Sequence, residues 1–256
     1  MPSLKMLIRY LDYMFRARGP FRLHSPYVFQ FYQKVLKGKT MPHFPAYCRD
    51  MRMRLPEGAS VFLRELSQGL NRRRGLHSIA RKESVSKRDA AILFRLAHFL
   101  RAKNVLELGT CLGYSAICLA SGAPGAKVWS IDGDRGRLEI ARRRALEAGF
   151  SGIAFKEGRF RDVLPTVLRE QGPFELVFID GDHKEEETLY LAEQIRPSLS
   201  SNGVMVIHDI HHSAAMRRAW HFLNQNPEYS LSISTFSMGF LFVSSDFQKQ
   251  YIPIRM

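Results

Sequence analysis

The sequence predicts an α/β fold, a mostly parallel sheet with helices on both faces and a basic helical extension in front. Three observations predict it. Five short runs, NVLEL (104–108), KVWSID (127–132), GIAFKE (152–157), FELVFID (174–180) and GVMVIHD (203–209), each give way to a helical pattern. These runs are near-continuous in apolar residues, the mark of strands buried on both faces. Finally, YSLSIST (229–235) and GFLFVS (239–244) have almost nothing between them, so an antiparallel pair closes one edge.

In chain order, residues 3–17 and 25–37 read as two short helices separated by Gly19-Pro20. Their apolar residues recur at helical spacing: Leu4, Leu7, Ile8, Leu11, Met14 and Phe15, then Tyr27, Val28, Phe31, Tyr32 and Val35. Both stripes are expected to pack on the main domain. The first is basic as well as amphipathic, and weak peripheral contact with a membrane is its other reading. The aromatics of HSPYVFQFY (24–32) are expected in the core rather than over an acceptor pocket. MPHFP (41–45) reads as a connector, and NRRRG (71–75) with RKESVSKRD (81–89) as a polar, mobile joint. Helices are expected over 86–101 behind the cap Ser86, over 113–121, and over 135–148 behind Asp134, ending at Gly149. Three more are expected over 160–170, 184–196, stopped by Pro197, and 213–224, with Ser213 as cap. The expected division is an extension at 1–88 and a main domain at 89–256.

The charge is uneven. Residues 1–88 hold 19 Lys and Arg against 5 Asp and Glu, while residues 89–256 hold 19 of each, so the net +14 lies wholly in the first third. That asymmetry suits an anionic partner or a solvated basic face. The three cysteines, Cys48, Cys111 and Cys118, have no metal or redox spacing and read as reduced thiols of a cytoplasmic protein. No apolar run approaches the ~18 residues of a membrane span, and Arg9 and Asp12 interrupt any signal-peptide core.

Ligands of an open parallel sheet bind outside the carboxyl ends of its strands. The first strand ends in LELGTCLGYSA (106–116), where Gly109 and Gly113 bracket a turn into a helix. Glycines admit a ligand to the backbone, and the helix start offers N–H groups. Glu107 disfavours a phosphate there and favours a cationic or amino-bearing ligand. Asp132 ends the second strand, a position that commonly receives ribose hydroxyls. The fourth strand ends in FIDGDH, with Asp180 at the rim and Asp182 and His183 in the turn; the fifth ends in His208-Asp209. Neighbouring strands would bring Asp180 and Asp209 to one cleft. Two carboxylates with imidazoles fit a divalent cation such as Mg or Mn, with zinc or iron open if His208 joins. His183 is the candidate general base. His211 and His212 are expected to line the loop.

Together, ELGTCLG, SID, FIDGDH and GVMVIHD with the closing hairpin resemble the class I S-adenosylmethionine-dependent methyltransferases, most closely O-methyltransferases of the catechol type and sugar and macrolide methyltransferases. The resemblance covers roughly residues 86–244. It implies a Rossmann-like seven-stranded sheet of order 3-2-1-4-5-7-6 and S-adenosyl-L-methionine as cofactor. It implies that Glu107, Gly109, Thr110 and Gly113 surround the methionine part, with Tyr114 and Ser115 opening the helix that faces it. Asp132 would hold the ribose, and Gly158 and Arg159 would border the adenine. Asp180 would stand at the cofactor and, with Asp209, hold a metal, and His183 would be the base. The chain departs from the pattern at His208, where the catechol-type enzymes carry an acid. Two firm oxygen ligands remain, which leaves a metal requirement open.

The function expected is methylation of a small-molecule hydroxyl. A nucleic-acid methyltransferase using residues 1–88 as a basic platform is not favoured, because no NPPY-like tetrad ends the fourth strand and no nucleic-acid module is recognisable. A non-catalytic cofactor-binding protein is the rival from another class. The missing GxGxxG argues against a nicotinamide-dependent dehydrogenase. The oligomeric state leaves no mark in the sequence.

Overall fold

The structure, a computed structural model, describes residues 4–39, 44–67 and 75–256. Met41, Pro42 and His43 of the expected connector and residues 71–74 of the expected joint lie outside that range. The elements are α1 (Leu4–Arg16), α2 (Pro26–Phe31, continued by a π turn over Tyr32–Leu36), α3 (Ala46–Met51), α4 (Ala59–Leu66), α5 (Leu76–Lys82), α6 (Lys87–Leu100), β1 (Asn104–Leu108), α7 (Tyr114–Gly122), β2 (Lys127–Asp132), α8 (Arg135–Glu147), β3 (Ile153–Glu157) and α9 (Phe160–Gln171). They continue as β4 (Phe174–Ile179), α10 (Glu185–Ile195), β5 (Leu199–His208), α11 (Ala214–Gln225), β6 (Leu231–Ser234), β7 (Met238–Phe242) and β8 (Gln250–Pro253). The strand order is β3-β2-β1-β4-β5-β7-β6-β8, the expected order with one further strand at the edge. The chain groups into two compact units, residues 41–172 and residues 1–40 with 173–256. The expected extension at 1–88 is therefore shared between them.

In the unit of residues 41–172, β1 pairs with β2 and β2 with β3, all parallel. Leu108 stands beside Ile131, and Asp132 beside Glu157, so the carboxyl ends form one edge. The helices begin where capping chemistry allows. Ser86 Oγ accepts from Asp89 N at 3.1 Å and opens α6; Asp134 Oδ1 accepts from Arg137 N at 3.0 Å and opens α8. Before α6 the chain is tied down, contrary to the mobile joint expected over 81–89. Residues 76–82 are helical, Arg52 donates to the carbonyls of Arg81, Ser84 and Val85, and Glu83 pairs with Arg137 at 2.5 Å. Arg49, Arg52 and Arg64 of the basic third serve as donors to backbone carbonyls. A small core of Leu63, Ile79, Leu112 and Ile140 joins α4 and α5 to α8 and the turn after β1.

In the other unit, β4 and β5 run parallel with Ile179 beside Ile207; β5–β7 and β6–β7 are antiparallel, and β8 adds in parallel to β6. The hairpin closes where Thr235 N donates to Met238 O at 2.8 Å. As expected for its aromatics, α2 covers this sheet: Val28 and Phe31 are fully buried, and Phe31 meets Phe240 and Phe242 edge-on. The first helix behaves differently. Its attached face carries Tyr13, whose hydroxyl lies 2.8 and 2.9 Å from the carbonyl oxygens of Ser234 and Ile254, and Arg9, which donates to His212 O at 2.8 Å. The stripe of Leu4, Leu7, Ile8, Leu11 and Phe15 is exposed, not packed on the domain as expected. Polar and aromatic residues, not the apolar stripe, hold α1. Among the described residues no helix is long and apolar enough to cross a membrane.

Candidate active site

The strand-end residues singled out in the sequence fall into two groups, one in each unit.

In residues 41–172 the turn after β1 is shaped by backbone. Gly109 N donates to Ile131 O at 2.9 Å, and Gly113 N donates to Thr110 O at 2.8 Å. Gly113 has φ 76°, and a Cβ there would stand 2.8 Å from Ala141 Cβ, so only glycine lets α8 approach. No side chain caps α7 at Gly113. The helix therefore opens with the arrangement that receives a ligand's carboxylate. Glu107 is fully buried beneath the turn and accepts from Ser130 Oγ, which lies 2.6 Å from Thr110 Oγ1. Asp132 accepts from Cys111 N at 2.8 Å through Oδ2 and from Asp134 N at 2.9 Å through Oδ1. Burial pushes its carboxyl above the usual range, partly offset by those two N–H donors. A carboxylate has about four acceptor sites, so ribose hydroxyls still find partners there. Gly158 N reaches Asp132 O at 3.1 Å, and Arg159 is exposed at the start of α9. Tyr114 and Ser115 are buried at the start of α7, and burial raises the Tyr114 phenol.

One residue of this region went unread in the sequence. Arg144 is fully buried in α8 and donates to Leu112 O at 2.5 Å and to Met51 O. It ties the glycine turn to α8 and α3, and burial lowers its guanidinium to about 10. The available signal was position: Arg144 falls on the apolar face of Leu138, Ala141 and Ala145.

In the other unit, β4 and β5 bring Asp180 and His208 side by side, with His208 Nδ1 2.9 Å from Asp180 Oδ1. A carboxylate can only accept, so Nδ1–H donates. The same Nδ1 stands 3.8 Å from Asp209 Oδ1. His183 Nε2 lies 3.7 Å from Asp180 Oδ1 and is about a third exposed, whereas His208 and Asp180 are nearly buried. His212 Nδ1 lies 3.9 Å from Asp209 Oδ2, and the rings of His183 and His212 are 6.0 Å apart. Asp180, His183, Asp209 and His208 are thus together, as the sequence suggested. His211 instead stacks on Phe236 at 5.3 Å beside Tyr13, and burial together with Arg217 lowers it to about 4. Ser213 Oγ accepts from Met216 N at 3.0 Å and opens α11 only after these histidines.

Backbone strain marks the same places. Among the described residues, five that are not glycine have positive φ: Arg101, at a helix end, and Cys111, Asp182, His183 and Asp209, all in the turns that follow β1, β4 and β5. Such conformations persist only where the surroundings impose them, and they cluster at functional sites.

The Mg or Mn ligand set expected at Asp180, Asp209 and His208 does not fit this arrangement. His208 Nδ1–H stands close to both carboxylates, where a shared cation would have to sit. Among the described residues no group of three or more His, Cys, Asp and Glu is arranged to hold one.

Known proteins similar to this chain include methyltransferases. Residues 106–210 match a family model described as a methyltransferase domain. A catechol O-methyltransferase of Niastella koreensis is 35% identical over 129 residues, covering 49% of this chain and 57% of that one. Another, from Mycobacterium tuberculosis, is 37% identical over 128 residues, covering 49% and 56%. The chain thus spans a little over half the length of these relatives. The O-methyltransferase of Bacillus cereus, solved in complex with SAH, shares the fold at TM-score 0.57 and 22% identity, covering 77% of this chain and 96% of that one.

Proposed function

We infer that this chain, whose residues 106–210 match a family model described as a methyltransferase domain, is a class I S-adenosylmethionine-dependent enzyme that methylates a hydroxyl oxygen of a small molecule. The observation that carries the reading is the cluster of Asp180, His183 and His208 at the ends of β4 and β5, with His183 and Asp209 in left-handed backbone. The names of the two catechol O-methyltransferase relatives support the same reaction class.

The residues of the 41–172 unit fit the cofactor. The uncapped start of α7 takes a carboxylate, the buried Glu107 supplies negative charge toward an amino group, and Asp132 accepts hydroxyls. Gly158 and Arg159, next past β3, border the base. When bound, S-adenosylmethionine supplies a methyl group activated by its sulfonium charge.

The other unit handles the proton. His183 Nε2 faces Asp180, so Nδ1 is the atom left to take the proton of the acceptor hydroxyl. Asp180 stabilises the imidazolium that forms, and the Nδ1–H of His208 fixes that carboxylate in place. Asp209, facing His208 and His212, keeps a second negative charge at the loop.

Calorimetric titration with S-adenosylmethionine and S-adenosylhomocysteine tests the reading. Both are expected to bind, and Asp132→Ala is expected to weaken them ~10- to 100-fold, the worth of hydrogen bonds to a charged group. A chelator is expected to leave turnover of a phenolic or sugar acceptor unchanged. Failure of both ligands to bind would overturn the reading in favour of a non-catalytic protein.

A further inference from the structure

The stripe that α1 turns away from the protein is continuous. Leu4, Leu7, Ile8, Leu11 and Phe15 lie within roughly 100° of one another around the helix, the width of a buried stripe in a globular helix. All are open to solvent: Leu4 is 72% exposed, Ile8 58% and Phe15 86%. Phe21, in the turn after α1, is 96% exposed. Scattered apolar residues on a surface need no explanation, but six along one helix and its following turn mark a contact face. The opposite face of α1 is already engaged through Arg9 and Tyr13, and Tyr10 packs edge-on against Phe236. The helix cannot roll its stripe inward without breaking these contacts, so the sheet that holds α1 does not cover it.

Charge says which occupant. Residues 1–24 contain five Lys and Arg, namely Lys5, Arg9, Arg16, Arg18 and Arg22, against one acid, Asp12. That acid is already paired with Arg16 at 3.0 Å. Arg18 and Arg22 flank Phe21 and are exposed. A second copy docking on this face would bring the same positive charge against it. A surface of anionic lipid brings the opposite charge and an apolar layer for the stripe.

We propose that α1 and the Phe21 turn form a peripheral docking surface for anionic lipid, with Leu4, Leu7, Ile8, Leu11, Phe15 and Phe21 entering the interfacial layer and Arg18 and Arg22 meeting the headgroups. The proposal stands apart from the assignment of the reaction.

Vesicle flotation of the full chain tests it. Vesicles of equal parts phosphatidylglycerol and phosphatidylcholine are expected to carry the protein, and phosphatidylcholine alone to bind at least ~10-fold more weakly, since each basic residue near an anionic surface is worth a sizeable factor. Leu11→Asp/Phe15→Asp is expected to abolish flotation while leaving the titration with S-adenosylhomocysteine and the circular dichroism spectrum unchanged, because both side chains are solvent-facing. Arg18→Glu/Arg22→Glu is expected to remove the preference for phosphatidylglycerol. Absence of flotation on phosphatidylglycerol vesicles would overturn the proposal. So would flotation that survives the double aspartate change, which would be charge attraction without insertion. A dimer in sedimentation equilibrium that the same aspartates dissociate would give the stripe to a second copy instead.

Discussion

The carboxylates at the ends of β1 and β2 and those at the ends of β4 and β5 look alike in the sequence and have different surroundings. Asp132 and Asp134 accept from the backbone amides of Cys111, Asp134 and Arg137, and Glu107 accepts from a serine hydroxyl. Those partners do not titrate near neutral pH; they fix a turn. Asp180 and Asp209 face the imidazoles of His208, His183 and His212. In the proposed reading, one set of acids builds a mould and the other attends a proton transfer. The same residue type at the same kind of strand end takes its role from what faces it.

The sharpest way to break that contrast is to remove the proton carrier. His183→Ala is expected to lower kcat ~10²- to 10⁴-fold, the range for a positioned general base. The Kd for S-adenosylhomocysteine should stay within a few-fold, because no residue of the mould changes. Parallel loss of affinity and rate would mean that the two sets of acids are not divided as described.

Removing the strut of the mould comes next. Arg144→Met leaves Leu112 O and Met51 O without their buried donor, and each orphaned group costs about 1–3 kcal/mol. Stability is expected to fall by roughly 2–4 kcal/mol, read as a shift of the urea midpoint, with the cofactor bound more weakly because Leu112 lies in the glycine turn. A variant that unfolds at the wild-type midpoint would show that Arg144 is a passenger.

The mould was the more legible of the two regions, for a physical reason. A turn made of backbone needs glycines at fixed places, and Gly109 and Gly113 announce it in one short run of sequence. The apolar runs of β1, β2, β4 and β5 were equally plain, because strands covered on both faces leave little room for polar residues. The proton-handling cluster needs two strands in register. Asp180 and His208 meet only because Ile179 pairs with Ile207, and no local pattern in either segment records that pairing. The sequence alone left open whether His208 joins a metal or acts without one, because the contact of its ring with Asp180 depends on that pairing. Other misses have similar causes. Strand β8 is four residues ending in Pro253, and only its neighbour β6 defines it. Helices α3 and α4, of six and eight residues, are too short for periodicity to speak. The stripe of α1 was visible, but a stripe does not say which side of a helix meets the protein.

The smallest effect separates the imidazoles within one loop. His211 lies two residues past Asp209 yet is held neutral against Phe236 and Tyr13, its pKa lowered to about 4 from the ordinary 6.5. Between those two values the unfolded chain binds a proton that the folded chain refuses. Stability at His211 is therefore complete above pH 6.5, falls as the pH drops toward 4 and levels off below that. The full loss is about 3 kcal/mol, at roughly 1.4 kcal/mol per pKa unit. In His211→Phe the ring that packs on Phe236 remains and the titrating group goes, so thermal midpoints measured at pH 7 and near pH 5 should lie closer together than in the parent. Turnover should change far less than in His183→Ala. If His211→Phe silences the reaction as strongly as His183→Ala does, the proton passes through the buried ring rather than the half-exposed one, and the roles given to the two histidines must be exchanged.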